Sequence, residues 1–281
     1  MNKECIICHE TKSKIAFKEF EVDILKCQNC GHIFSSYEQD QNYNGYFGDK
    51  VEADDSFWFN QAHKKIYDDF CQKFIAGKKG RLLDVGCGLG YFVKKVSHYS
   101  DWEAYGYEIS KSAVDFAKEK LNLKNIYHGR VEEAQFLKKY FNIITLWDVI
   151  EHIPNPDLML GCLNSILKDD GFIFIHTPNI KIQLPKARIK RFFKGMKEGV
   201  HYLEAKDHIN VYSPKTMEKI LGRNGFENVG FIHLHPIQSM AGSKNIVLKW
   251  IKNLWYWSAK FLFFISFKKV NINNLFAIAK K

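Results

Sequence analysis

The sequence predicts an α/β fold, a parallel sheet with helices on both faces, preceded by a small four-cysteine module. Three observations carry this. Apolar segments of strand length alternate with helical stretches along most of the chain. The run Leu82-Leu83-Asp84-Val85-Gly86-Cys87-Gly88-Leu89-Gly90 reads as a buried strand passing into a glycine turn and then a helix. Near the start, two C-x2-C pairs are separated by eighteen residues. With 281 residues and 46% apolar content, the chain is long enough to bury a full core and carry a small module besides.

Taken in order, Cys5, Cys8, Cys27 and Cys30 have the spacing of a structural zinc site, because each pair makes a tight knuckle and four thiolates close a tetrahedral shell. Residues 15–26 alternate like a hairpin between the knuckles. His9 and His32 read as neighbours of the site, and Cys71, Cys87 and Cys162 as ordinary small apolar residues. An odd total of seven cysteines, with four in ligand spacing, favours a reducing, cytoplasmic setting over a disulfide framework. The first residues lead into a cysteine pair, with no apolar leader to read. The module is expected over 1–45 and a linker with a helix over 46–79. Within that stretch residues 57–75 carry Phe59, Ala62, Ile66, Phe70 and Phe74 at near-helical spacing.

Strands are expected at 81–85, 103–107, 125–128, 142–147, 171–177, 226–234 and 274–279, with helices at 91–98, 111–121, 157–168 and 214–224. In such a sheet ligands sit beyond the carboxyl ends of the strands. The glycine turn narrows the ligand. A dinucleotide fingerprint starting at Gly86 needs glycine where Tyr91 stands, and a phosphate-binding loop needs Gly-Lys-Ser/Thr where Tyr91-Phe92-Val93 stands. What remains is D-x-G-x-G-x-G followed by Glu108 at the end of the next strand, placed to accept both hydroxyls of a ribose.

These residues resemble the class I S-adenosylmethionine-dependent methyltransferases, within the broad family that handles small molecules and glycans. The resemblance covers about 80–235 plus the last strand. It rests on the glycine motif, on Glu108, on Trp147-Asp148-Val149-Ile150-Glu151-His152-Ile153-Pro154-Asn155-Pro156, on Leu167-Lys168-Asp169-Asp170-Gly171 leading into an apolar strand, and on the segment from Ser213-Pro214 to Gly225-Phe226. It implies a Rossmann-like seven-stranded methyltransferase sheet over 80–281. S-adenosylmethionine is then the cofactor, contacted by Asp84, Gly86, Gly88, Gly90, Glu108, Ile109, Val131 and Trp147. The helix before the glycine strand covers it, with Tyr43, Tyr46 and Phe47 as capping residues. One departure concerns the third strand, where many relatives place an aspartate for the adenine amino group. Here Gly129 is followed by Arg130, which accepts no hydrogen bond, so that contact passes to the backbone near Val131 or to Glu132.

The fourth strand lacks the Asp/Asn-Pro-Pro-aromatic motif of amino-group methylation, which directs attention to a hydroxyl acceptor. Its proton needs a base that works near neutral pH, and His152 is the first candidate, with Asp148 behind it and His208 as a further one. An insertion over 181–210 holds Arg188, Lys190, Arg191, Lys194 and Lys197, whose charge points to an acidic or phosphorylated acceptor. The net charge of +10 favours anionic partners in general.

A second insertion, 240–270, is apolar with a basic rim over 246–269. It reads as an interfacial helix that brings the protein to the inner face of an anionic membrane without spanning it, the alternatives being a helix buried against the domain or a dimer interface. The combined expectation is O-methylation of a sugar or other small acceptor, in surface-polysaccharide biosynthesis and on a lipid-linked glycan. The alternatives are an RNA methyltransferase using the zinc ribbon and basic surface, and a cofactor-binding partner protein without catalysis.

Overall fold

The computed structural model describes residues 3–39, 58–237, 246–266 and 272–281. The aromatic residues Tyr43, Tyr46 and Phe47 lie outside these, as does Phe57.

The central sheet contains β4 (Gly80–Val85), β5 (Trp102–Glu108), β6 (Ile126–His128), β7 (Phe141–Trp147), β8 (Leu167–Thr177), β10 (Glu227–Phe231) and β11 (Leu275–Lys280). Their spatial order is β10-β11-β8-β7-β4-β5-β6. The five strands from β4 to β8 run parallel, and β11 inserts antiparallel between β8 and β10. The central strands are covered on both faces, which is why they read as nearly continuous apolar runs: Leu82, Leu83, Ile144, Leu146, Ile173 and Ile175 have no exposed surface.

Helices α1 (Lys64–Phe74), α2 (Tyr91–Val96), α3 (Lys111–Glu119), α4 (Asp157–Ile166) and α6 (Pro214–Arg223) flank the sheet. Local chemistry sets their starts. The Ser110 hydroxyl accepts the Ala113 N–H at the head of α3, and Ser213 with Thr216 forms a capping box at α6, with Pro214 in its first turn. The helix expected over 57–75 begins only at Lys64. A single π-helical turn, Trp58–Ala62, precedes it, and His63 sits at the junction. The strand expected over 226–234 is Glu227–Phe231, and beyond it the Ile232 N–H still donates to Phe276 O of β11.

A second sheet holds the cysteine module. Its strands β1 (Ser13–Glu19), β2 (Val22–Cys27) and β3 (Ile33–Ser35) are joined by β9 (Asn210–Val211), which comes from the insertion after β8. The insertion also contributes α5 (Ile180–Lys194). Phe17, Val22, Ile24 and Ile33 share a core with Ile180, Ala187, Leu203, Ala205 and Val211. Leu25 and Phe34 join the main core beside Tyr212 and Met217. The module and the insertion are thus folded onto each other.

The apolar C-terminal segment forms α7 (Ile246–Ile265). Tyr256, Ala259 and Phe263 are buried on one side of it, with Tyr256 stacked on His235 at 4.0 Å between ring centroids. His235 is in turn held by Asp69 of α1. The other side exposes Trp250, Leu254, Trp257, Phe261 and Phe264. No helix among the described residues is long and apolar enough to cross a membrane.

Candidate active site

The carboxyl ends of the parallel strands open into a cavity of about 470 Å³. The glycine turn after β4 forms one wall. Gly86, Gly88 and Gly90 all have positive φ (+66°, +51° and +80°), a conformation that side-chain-bearing residues rarely take. A Cβ on Gly86 would fall 2.6 Å from Val149 Cγ2, so the β4 and β7 ends approach this closely only with glycine there. Gly90 has another role than expected. It caps α2 and does not line the cavity, and a Cβ on it would meet Leu123 Cδ1 at 2.9 Å and Ala117 Cβ at 3.0 Å. It serves the packing of α2 against α3.

Glu108 stands at the end of β5 with 7% of its surface exposed. Its Oε2 accepts the Gly88 N–H and its Oε1 the Ser110 N–H, both at 2.8 Å. Burial pushes its carboxyl up from the ordinary value, and the Ser110 and Gly88 amides oppose that. Asp84 lies deeper, paired across the β4–β7 ladder with Thr145, whose hydroxyl donates to Oδ1 at 2.7 Å. Burial raises the Asp84 carboxyl to about 8, against the Thr145 bond and with a further push from Glu108.

Ile109, Val131 and Trp147 also line the cavity, together with Arg130 and Glu132. Trp147 anchors an aromatic cluster with Tyr67, Phe70, Phe92 and Phe174, its ring 4.7 to 5.5 Å from theirs. Six acidic side chains line the cavity, Asp84, Glu108, Glu132, Asp148, Glu204 and Asp207, against one arginine, Arg130, and no lysine among the described lining residues.

Beyond Trp147 the wall turns polar. Asp148 has φ +53°, which swings its carboxylate off the end of β7 between two histidines. Its Oδ1 is 3.0 Å from His176 Nδ1 and its Oδ2 is 3.7 Å from His63 Nε2. Burial disfavours the carboxylate, but His176 and then His63 outweigh it and hold Asp148 well below the usual range. The Asn274 amide contacts His176 Nε2 at 3.0 Å. His152 and His208 face each other at 5.0 Å between ring centroids. Burial lowers both from the ordinary imidazole value. Asp207 O lies 3.0 Å from His152 Nδ1. Glu151, fully buried behind them, accepts from Thr177 Oγ1 at 2.9 Å through Oε2.

The structure brings His152, Asp148 and His208 into the same cavity as the cofactor candidates, Gly90 excepted. The basic side chains of the insertion fall elsewhere. Arg188 and Arg191 bond the Ala16 and Lys18 carbonyls of β1, and among the described residues α5 lines the cavity only with Gln183. The charge argument for an acidic acceptor therefore loses its footing. Two positions escaped the sequence reading. His63 carried no signal beyond its place before a helix. Glu19 looked like one acid of a hairpin, but its carboxylate accepts the N–H groups of Tyr202, Leu203 (3.0 Å) and Ala205 (2.7 Å).

At the far end of the module, Cys5 and Cys30 Sγ are 3.5 Å apart, as are Cys8 and Cys27 Sγ, and all four lie within 4.8 Å of one another. Tetrahedral zinc with Zn–S near 2.3 Å needs sulfurs about 3.8 Å apart, so this donor set fits.

A family model described as a methyltransferase domain matches residues 59–230. The chain belongs to the methyltransferase-domain family. As a member of it, the protein is an S-adenosylmethionine-dependent methyltransferase with the seven-stranded Rossmann-like sheet of that class. Among curated relatives, a ubiquinone biosynthesis O-methyltransferase of Glaesserella parasuis is 32% identical over 114 residues, 37% of this chain. The chain spans about half of that relative's length, 47%. A ubiquinone biosynthesis O-methyltransferase of Coxiella burnetii is 24% identical over 199 residues, 65% of this methyltransferase and 82% of the relative.

Solved structures show the likeness of fold alone. Phosphoethanolamine N-methyltransferase 2 of Haemonchus contortus, in complex with S-adenosyl-L-methionine, superposes with a TM-score of 0.54 at 14% identity, over 89% of this chain and 61% of that one. The PH0226 protein of Pyrococcus horikoshii gives 0.53 at 14% identity, over 80% and 95%.

Proposed function

We propose that this methyltransferase O-methylates a hydroxyl of a small-molecule acceptor. The observation that carries this is one cavity lined both by Glu108, the candidate for the ribose hydroxyls, and by His152 and His208. When bound, S-adenosylmethionine would supply a sulfonium methyl group to the acceptor oxygen, with the electron pair of the broken carbon–sulfur bond left on sulfur. Glu108 would accept the ribose hydroxyls, Asp84 would reach the methionine ammonium through water or the backbone, and the backbone at Val131 or Glu132 would take the adenine. Trp147 and Tyr67 hold the reacting atoms together and exclude water. His152, whose Nδ1 lies 3.0 Å from Asp207 O, would take the hydroxyl proton. Asp148 steadies the positive charge that results.

The named relatives support an O-methyl acceptor of small-molecule type, and the sugar expected from the sequence draws no support from them. The exposed aromatic side of α7, with Lys260 over the Trp257 ring at 4.9 Å, supports contact with an anionic lipid surface where a lipid-borne acceptor resides. The four-cysteine site takes one structural zinc, because its shell leaves no open position for chemistry. The deciding experiment measures S-adenosylhomocysteine formation against catechols, phenols and sugar alcohols. Turnover on amines only, with none on hydroxyls, sinks the proposal.

A further inference from the structure

We infer that His63 is a positioning residue for methyl transfer, acting through Asp148. Its Nε2 lies 3.7 Å from Asp148 Oδ2, and both residues line the cavity.

Helical spacing puts the ring there. His63 and Tyr67 stand four residues apart at the head of α1 and both line the cavity, with 5.3 Å between their ring centroids, while Ile66 and Phe70 are fully buried in the core. His63 is only 2% exposed. A polar ring taken out of water is costly unless it finds a partner, and the Asp148 carboxylate stands at ion-pair distance. His63 also follows directly on the π-helical turn Trp58–Ala62, and such turns recur at functional positions.

Asp148 has a first anchor on the other side. Its N–H donates to His176 O at 3.0 Å, its Oδ1 is 3.0 Å from His176 Nδ1, and the Asn274 amide contacts His176 Nε2. The last torsion of an aspartate is broad, so a contact at one oxygen does not fix the carboxylate plane. A second contact at Oδ2 does, and His63 supplies it from a separate element. His176 and His63 are also the groups that favour the ionised form of Asp148. What the fixed carboxylate does rests on the hydroxyl reading. The acceptor proton goes to His152, and Asp148, with Asp207, favours the protonated ring. That attraction depends on distance, so a clamped carboxylate gives more of it in the transition state than one free to turn.

The test uses the full zinc-loaded chain at saturating S-adenosylmethionine, with the best acceptor from the catechol, phenol and sugar-alcohol panel. His63→Phe keeps a flat ring beside Tyr67 and removes the nitrogens, whereas His63→Gln keeps an N–H donor. The expected result is a kcat at least about tenfold lower in His63→Phe with acceptor KM within about twofold, and most of kcat regained in His63→Gln. Asp148→Asn lowers kcat as well, and adding His63→Phe to it costs nothing further, because the histidine acts through the carboxylate. Calorimetry finds S-adenosylmethionine affinity unchanged in His63→Phe. Wild-type kcat in His63→Phe, losses that multiply in the double variant, or a loss of cofactor affinity overturns the role. His63→Leu takes the place of His63→Phe if that variant does not fold. If the wild type methylates amines only, the hydroxyl reading falls, and the same variants are compared on the amine. There, absence of coupling between His63 and Asp148 overturns the positioning role as well, and coupling retains it.

Discussion

The Gly88 N–H donates to Glu108 Oε2 at 2.8 Å, joining the glycine turn to the end of the neighbouring strand. That bond fixes the Glu108 carboxylate in the cavity wall. Glu108→Ala is expected to weaken S-adenosylmethionine binding by ~1.5–3 kcal/mol, the range for hydrogen bonds involving a charged group. Calorimetry on the folded variant measures this, and an unchanged affinity removes Glu108 from the cofactor site.

Asp84 gives the cofactor a pH dependence. Its folded carboxyl titrates at about 8 against an ordinary 3.8, so the native cofactor-free protein holds a proton that the unfolded chain has released. The stability contributed by that proton is complete below pH 3.8 and declines as pH rises toward 8. A cationic cofactor reverses the balance, because it favours the ionised carboxylate. Affinity is therefore expected to rise between pH 6 and 8, by at most about tenfold per unit, with release of a proton. Asp84→Asn flattens the profile. Calorimetry in two buffers of different ionisation enthalpy reads the proton directly.

Glu19 belongs to β1 but holds the loop that carries Glu204, Asp207 and His208. Its three backbone donors come from Tyr202, Leu203 and Ala205, and the Ser35 hydroxyl bonds Ala205 O from the same module. In Glu19→Gln an amide NH2 meets backbone N–H groups, at a cost of about 1–3 kcal/mol for the unsatisfied partners. Faster amide exchange over residues 202–205 and lower S-adenosylhomocysteine production are expected, with cofactor affinity unchanged. Equal exchange in both proteins refutes the role.

Zinc removal is expected to act on the same loop. Cys27 closes β2, β2 pairs with β3, and β3 pairs with β9 through Ile33–Val211 and Phe34–Asn210. Metal analysis should find one zinc per chain, lost in Cys5→Ser/Cys27→Ser, and chelation should raise exchange at residues 202–211 before it does so at 82–90. Protein purified without chelator and found free of zinc contradicts this.

The α7 surface has its own test. Phe263 is 2% exposed and Trp257 61%, so a charge at Phe263 tests the core, whereas Trp257→Glu/Phe261→Glu tests the outer side. Flotation with anionic vesicles should carry the wild type and leave the variant behind, and high salt should weaken the binding without abolishing it. Wild type remaining soluble at low salt assigns the exposed side to another partner.

The sequence by itself determined what repeats or is local. The alternation of strands and helices, the glycine turn, Glu108 at the end of the following strand and the cysteine spacing are all set by near neighbours in the chain. The aromatic Trp147 beside Asp148 and His152 was legible for the same reason. Only the tertiary structure decided which distant groups meet. Glu19 reaches a loop more than 180 residues away, β9 completes the cysteine module, and His63 and His176 close on Asp148 from two separate elements. The basic run in the insertion shows the limit. Its charge was plain, but its direction was not, because packing of α5 on β1 turned Arg188 and Arg191 toward backbone carbonyls and away from the cavity. Local patterns are fixed by the period of the backbone, whereas side-chain partners across the fold are fixed by how the covered faces pack, and that information is distributed over the whole chain.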